Sequence, residues 1–500
     1  MKPVLISGHR PSSKYRQTIH HDEAESFIQG YLLLWHPLVL GKSDELPVIG
    51  NQEEFENTTA EYFFAYPESP YQYYPSHWLE EKQQAGCPVV KITASWEESV
   101  RSMALALGQQ AENFWTTRCE QFGGLALGFL VLEAYCDAQD HINPLDKTAF
   151  HQVLRSAALS TDEVEQNRLL GQAAHLLHEA REIVNPSQLY QALTLMLCGK
   201  PAESRLAEWV QRGIQTTLVS STEWLDQWAL HLPHDAEKLK AQLREGQKEW
   251  WTSIEREQPD SLLPLTAWLD NLEKGAKARK AWHQQPVESA GRCRFAGVPT
   301  LTTLLHAFGI KRTIHYSADG GIWPTWGHSL VGWRGPDGEL LESCARKPEP
   351  IDQAETAFHL GHLFYDAGHS EYVTWLHLGI LQGNLELPVW FRCWYALHEL
   401  APVFGPISPL ERTIRDIPAT ELFTPVTGDD FQSDYLLELT GHADLPAELN
   451  PISRFSEAQR EVRRCESLRT FHAMYAAITT QIEITKAGDT GSISLGIDEN

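Results

Sequence analysis

The sequence has no uninterrupted apolar run of the roughly 18 residues that a membrane-crossing helix needs. Its longest apolar stretch, Gly123 to Ala134, is too short and already contains Glu133. The apolar run at the N-terminus, Pro3-Val4-Leu5-Ile6, is too brief for the core of a secretory signal. The expected location is therefore the cytoplasm. Positive charge is also scarce: 41 Lys and Arg against 66 Asp and Glu give a formal net charge of -25. Nucleic-acid affinity rests on neutralising phosphates, and anionic membranes attract basic patches, so neither partner is expected. The acidity itself is read as a source of solubility and not as evidence for a cationic substrate. The eight cysteines include no Cys-x-x-Cys pair, which removes the usual thiolate zinc spacing and points to reduced, mostly buried thiols. There is no internal repeat and no low-complexity tract.

What is present is length, a core and aromatic rings. Five hundred residues with 42% hydrophobic and 21% charged side chains suit one large domain with a helical appendage. Seventeen tryptophans and fifteen tyrosines fill a large core or line a sugar site, where ring faces stack on pyranose C–H faces.

The pattern along the chain alternates. Pro3 to Ser7 reads as a buried strand ending at Gly8-His9, and a helix follows with Asp22 as its cap and Glu23 and Glu25 in its first turn. Glu61 to Tyr66 reads as a strand that runs into a loop rich in Pro and Tyr. From Glu97 to Leu197 the pattern is almost wholly helical, with Gly124 to Tyr135 apolar nearly all round and Asn185-Pro186 stopping a later helix. Gln215 to Ser220 reads as a strand, with helices from there to Ala281. Gly291 to Gly297 and Arg312 to Tyr316 read as strands around a helix, Pro299 to Phe308, capped by Gly309. His328 to Trp333 and Glu339 to Ala345 flank Gly335-Pro336-Asp337-Gly338, a tight hairpin turn. Tyr372 to Leu378 is a further strand, and Glu457 to Ile484 an amphipathic helix before a frayed tail. Strands separated by helices over this length predict a mostly parallel α/β architecture, whose site lies at the C-terminal ends of the strands.

The block Gly291-Arg292-Cys293-Arg294-Phe295-Ala296-Gly297, the helix to Gly309, the segment Ile314-His315-Tyr316-Ser317-Ala318-Asp319-Gly320, and the hairpin with Trp333-Arg334-Gly335-Pro336-Asp337-Gly338 resemble, in order and spacing, a block of family-38 glycoside hydrolases. The resemblance covers roughly Gly291 to Arg346 and is looser elsewhere. It implies a seven-stranded (β/α) barrel of the glycoside hydrolase/deacetylase type over 1–400, with a helical insertion at about 97–200 and a mainly helical segment over 401–500. It also implies a divalent metal, usually zinc, bound through His9 and His377, a substrate-facing Trp333, and a carboxylate nucleophile in a retaining mechanism. Three departures accompany it. The family's first strand ends His-x-Asp, and here it is His9-Arg10-Pro11. The nucleophilic Asp position falls on Cys293, and Arg294 replaces the proline after it.

Read residue by residue, His9 sits at a strand end where barrel sites gather. His20-His21-Asp22-Glu23 is the densest cluster of ligand types, and it is also an ordinary helix start. Asp319, in Ala318-Asp319-Gly320-Gly321, is a general acid, a substrate-binding carboxylate or an Asp-Gly turn. Trp323, Trp326 and His328 form a sugar platform or a structural lid. Cys293, between Arg292 and Arg294, is a nucleophile if both guanidiniums depress its pKa, or a buried inert thiol. The expected function is a glycoside hydrolase-like protein acting on a carbohydrate with unusual catalytic residues. The alternative is a non-catalytic carbohydrate-binding or scaffold protein on the same barrel. A homologous active subunit or a second copy is an expected partner of such a degenerate barrel.

Overall fold

The computed structural model describes residues 1–11, 17–58, 61–67, 76–93, 95–109, 115–201, 204–258, 264–283, 288–295, 300–314, 330–345, 347–369, 375–381, 385–416, 424–426 and 451–488. Asp319, Trp323, Trp326 and His328 lie outside these residues.

Strands β1 (Lys2–Ile6), β2 (Val48–Gly50), β3 (Tyr62–Pro67) and β4 (Val89–Ile92) form a parallel sheet in the order β2-β1-β3-β4. The helices between them are α1 (His21–Leu34), α2 (Pro37–Leu40) and α3 (Ser76–Gln84). The start of α1 differs from the expectation. His20 is the N-cap, and Asp22 stands one turn-position inside, beside Glu23, where both acids favour the helix dipole.

A helical block follows: α4 (Trp96–Ala106), α5 (Thr117–Ala138), α6 (Lys147–Leu159) and α7 (Glu163–Val184). Helix α5 is buried nearly all round, as its sequence predicts. Its glycines let a neighbour, α14 (Val389–Leu400), lie backbone to backbone: a Cβ on Gly124 would stand 2.4 Å from the Cys393 carbonyl oxygen.

The expected helical run does not reach Leu197. Tyr190–Met196 is strand β5, buried at every position. A short, continuously apolar segment carries no period that separates strand from helix, and burial between parallel neighbours decided it. With β6 (Thr216–Val219), β7 (Lys248–Trp251), β12 (Glu349–Pro350) and β13 (Trp375–Ile380) it makes a parallel sheet in the order β12-β13-β5-β6-β7, and β14 (Ile407–Ser408) also pairs with β5. Strand β7 interrupts the helices expected up to Ala281. Helices α8 (Leu206–Arg212), α9 (Thr222–His231), α10 (Pro233–Arg244) and α11 (Leu265–His283) surround it.

The third sheet runs β15-β10-β11-β9-β8 and contains β8 (Ser289–Ala290), β9 (Arg312–Ile314), β10 (Leu330–Arg334), β11 (Leu340–Cys344) and β15 (Thr424–Val426). The hairpin is present: β10 and β11 are antiparallel, and Gly338 takes φ +86° in the turn. Helix α12 (Leu301–Ala307) ends at Gly309 with φ +80°. The remaining helices are α13 (Ala354–His369), α15 (Leu410–Asp416) and α16 (Pro451–Gly488).

The architecture is mixed α/β with parallel sheets and a large helical share, and the expected seven-stranded barrel is not confirmed by it. Among the described residues the sheets do not close on each other through hydrogen bonds. The second and third do share an interior. Tyr190, Ala192 and Met196 of β5, Val219 of β6, Trp251 of β7, Ile314 of β9 and Cys344 of β11 meet in one apolar cluster. The alternate residues Leu193, Leu195, Leu218 and Trp250 face the helical layer instead. Period-two alternation thus points one face of the second sheet at the third. Among the described residues no helix is long and apolar enough to cross a membrane.

Candidate active site at the strand ends

Strands β6, β7 and β8 deliver their C-terminal ends to one place, and the chain leaving each end supplies a polar group. Beyond β7 the chain turns through Thr252, Ser253 and Ile254 to Glu257, held there by α11. Asn271 accepts from the Arg256 N–H at 2.9 Å and donates to its carbonyl at 3.0 Å, and Arg279 donates to the Thr252 carbonyl at 2.7 Å. Gly275 permits this contact, since a Cβ there would fall 2.6 Å from the Ile254 carbonyl carbon.

Beyond β8 the chain forms the tight turn Arg292-Cys293-Arg294-Phe295. Here the structure corrects the strand expected over Gly291 to Gly297: pairing stops at Ala290, where Ala290 faces Thr313. Phe295 has φ +58°, a left-handed conformation that costs a residue with a Cβ about 1–2 kcal/mol. Two bonds hold the turn in that shape. The Arg292 guanidinium donates to the Phe295 carbonyl at 3.1 Å, and the Cys293 N–H donates to Glu257 Oε1 at 2.6 Å.

Glu257 is the most distinctive group in the turn. The residue as a whole is half-buried, but its carboxyl end is enclosed. Oε2 is sealed from solvent and has no hydrogen-bond partner among the described residues. Desolvation drives its pKa up to about 7, against the opposing pull of the Cys293 and Arg294 N–H groups and of the Arg292 and Arg294 charges. A carboxyl group in this state can hold or release a proton near neutral pH. Sequence reading missed it, because Glu255-Arg256-Glu257-Gln258 looks like a solvated charged loop. Its place past a strand of a parallel sheet gave no signal either, because β7 is not legible as a strand in the sequence.

Cys293 is 1% exposed, and its thiol donates to the Val219 carbonyl at 3.0 Å. Burial pushes its pKa well up, and Cys198 and the Glu257 charge act the same way, outweighing Arg294. The sulfur is therefore a protonated packing group. The expected activation by two flanking arginines fails because Arg292 turns to the Phe295 carbonyl and enclosure dominates. Trp333 is likewise a core residue. It is 2% exposed and packs with Trp268, Leu301 and Leu341 instead of facing a substrate.

The two histidines expected to share a metal do not come together. His9, past the end of β1, has Nε2 3.5 Å from Glu23 Oε2 and its ring edge-on to Phe358. Pro11 stands where the family pattern has an aspartate, and Arg10 before it pairs with Glu54. His377 is buried in β13, with Nε2 2.8 Å from Thr194 Oγ1 and Nδ1 3.7 Å from Cys344 Sγ. Both its ring nitrogens are engaged within the sheet. Among the described residues no group of three or more His, Cys, Asp or Glu is placed to hold a metal ion. Among the described residues, His9 and His377 do not form the zinc site that the resemblance implies, because each histidine is bonded to its own neighbours.

No protein-family model and no curated protein matches the chain. Among solved structures, it is similar to an alpha-mannosidase from Enterococcus faecalis V583 at 15% identity and a TM-score of 0.35, over 48% of this chain and 30% of that one. It is similar to 4-alpha-glucanotransferase from Thermococcus litoralis at 12% identity and a TM-score of 0.39, over 57% of this chain and 48% of that one. A protein of glycosyl hydrolase family 38 from Enterococcus faecalis aligns at 15% identity and a TM-score of 0.33, over 48% and 28%. The chain thus spans less than half the length of each of these structures, and overlaps of this size assign it to no family.

Proposed function

We propose that this protein is a glycoside hydrolase-like protein acting on a carbohydrate, with Glu257 as its proton donor. The observation that carries the reading is the enclosed carboxyl group of Glu257 beyond the C-terminal end of β7, with one oxygen fixed by the Cys293 N–H and the other unpartnered among the described residues. A general acid for glycosidic cleavage must be protonated at working pH and must release its proton as the bond breaks. Enclosure gives Glu257 that property. In the proposed reaction its proton passes to the leaving glycosidic oxygen as the anomeric carbon–oxygen bond breaks. A second carboxylate then has to serve the anomeric carbon. Asp319, which follows β9 in sequence, is proposed for that part, and Trp323, Trp326 and His328 for contacts with the sugar. Support for the carbohydrate class comes from the resemblance over Gly291 to Arg346 and from the density of aromatic residues in that stretch. No step is assigned to a metal.

The test is hydrolysis of aryl α-mannosides and other aryl glycosides by the full chain, across pH 4 to 9. Turnover is expected to fall as pH rises through about 7, and Glu257→Gln to lower kcat by about 10²–10⁴-fold. A Glu257→Gln protein as active as the parent would sink the assignment. The buried, protonated Cys293 at the expected nucleophile position favours a second reading, sugar binding without turnover. Binding of the same glycosides with no hydrolysis at any pH would select it.

A further inference from the structure

Away from the strand ends, helix α16 (Pro451–Gly488) runs for 38 residues, roughly 57 Å at the ordinary rise of a helix. Every residue from Ser467 to Thr479 is exposed. A helix in water draws most of its stability from packing an apolar face, and the apolar face of α16 lies open. Leu468, Phe471, Met474, Tyr475 and Ile478 are each between 53% and 72% exposed. Four of them, Leu468, Phe471, Tyr475 and Ile478, follow one another at intervals of three, four and three residues. That is the spacing of a seam between two paired helices. Met474 flanks the seam and, with Phe471, lines a groove of about 560 Å³ that also takes in Pro264 and Leu265. The apolar surface therefore continues from α16 onto the start of α11.

Area and symmetry select what covers this stripe. Large side chains carry on the order of 150–250 Å² each, so these five at their observed exposures offer roughly 500–750 Å². A patch of that size matches or exceeds the largest apolar patch of an ordinary monomer, roughly 300–600 Å². Two copies meeting through it would remove roughly 1,000–1,500 Å² from water, which with the flanking polar residues reaches the size of a stable interface. A two-fold contact needs a patch complementary to itself. Intervals of three, four and three read the same in both directions. An antiparallel copy thus sets Leu468 against Ile478 and Phe471 against Tyr475, ring against ring. A parallel copy would extend the seam onto Glu461 against Glu461 and Arg464 against Arg464, like charge on like.

We infer that two copies of this chain pair through antiparallel α16 helices along Leu468, Phe471, Tyr475 and Ile478. The inference stands on α16 alone and does not rest on the proposed reaction. Sedimentation velocity and light scattering on the full chain, over a hundredfold range of concentration, test it against the monomer mass of 56.6 kDa. The chain should be a dimer. Phe471→Lys and Tyr475→Glu should each raise the dimer Kd by about tenfold or more, because a charge then enters the centre of the seam. Both side chains are exposed in the single chain, so neither change disturbs its core. The double variant sets the new lysine of one copy against the new glutamate of the other in an antiparallel pair, and it should dimerise more tightly than either single variant. Val462→Glu is the control. Val462 is 54% exposed but stands nine residues before Phe471, about two and a half turns, and so on the opposite side of the helix. It should leave the Kd unchanged. A monomer at every concentration would overturn the inference. So would a dimer that Phe471→Lys and Tyr475→Glu leave intact, since another face would then hold it. Equal weakening by Val462→Glu would refute the stripe, and a double variant no tighter than the single ones would refute the antiparallel pairing.

Discussion

The enclosure of Glu257 has a thermodynamic consequence that can be measured without any substrate. Its folded pKa is about 7, against an ordinary value of 4.5. The unfolded chain therefore loses this proton near pH 4.5, while the folded protein keeps it to about pH 7. Between those limits the folded state binds more protons, so stability falls as pH rises. The slope is about 1.4 kcal/mol per pH unit, and the total penalty approaches roughly 3 kcal/mol before levelling above pH 7. Glu257→Gln removes the titration and keeps a carbonyl oxygen to accept from the Cys293 N–H. The free-energy difference between variant and parent should therefore grow in the variant's favour by about 3 kcal/mol from pH 4.5 to pH 8. Every other titrating group, including Glu249 and Lys248, cancels in that difference. The assay is urea unfolding of both proteins at half-unit pH steps, read as the shift between their midpoints multiplied by the common slope. A difference that stays flat across this range would refute the burial argument, and with it the proposed acid.

Two further outcomes follow from the packing. Lys248, at the start of β7, is fully buried with its ammonium on the Ile214 carbonyl, and desolvation lowers its pKa to about 7. The unfolded chain then binds the extra proton between pH 7 and 10.5, so this group makes the parent gain stability as pH rises. Lys248→Met should lose its advantage over the parent step by step from pH 7 to pH 10, and parallel unfolding curves for the two would contradict this. In α5, Gly124→Ala places a Cβ 2.4 Å from the Cys393 carbonyl oxygen and 2.8 Å from the Leu397 nitrogen, both backbone atoms that cannot rotate away. It should cost about 1–3 kcal/mol, whereas Gly171→Ala, which meets nothing within 4 Å, should be neutral or stabilising.

Much of the local structure is legible in the sequence because local chemistry sets it. The Gly335-Pro336-Asp337-Gly338 turn allows only a hairpin there, Gly309 ends α12 because a left-handed cap needs glycine, and Asn185-Pro186 stops α7. The apolar wrap of α5 also tells that the helix is buried all round. Strands β5 and β7 are not legible. One is a continuous apolar run with no period, and the other is a four-residue piece among helix formers, so only their parallel neighbours fix them as strands. The site divides in the same way. Residue type and order pick out Cys293 and the end of β8, but the state of that sulfur depends on the Val219 carbonyl and the enclosure around it, which β6 and β7 supply from some 40–75 residues away. The family resemblance implies a substrate-facing Trp333, and the packing of α11 and α12 over the third sheet makes it core.

The sequence by itself determined an acidic, helix-rich α/β chain with its turns, caps and fully buried helix in place, because charge, backbone conformation and apolar periodicity act over a few residues. Tertiary structure alone decided that His9 and His377 stay apart, that the second and third sheets share an interior without closing, and that Glu257 is the carboxyl group held near neutrality. Those outcomes depend on which distant groups exclude water from a side chain, and desolvation is a property of the assembled surroundings that no single stretch of sequence contains.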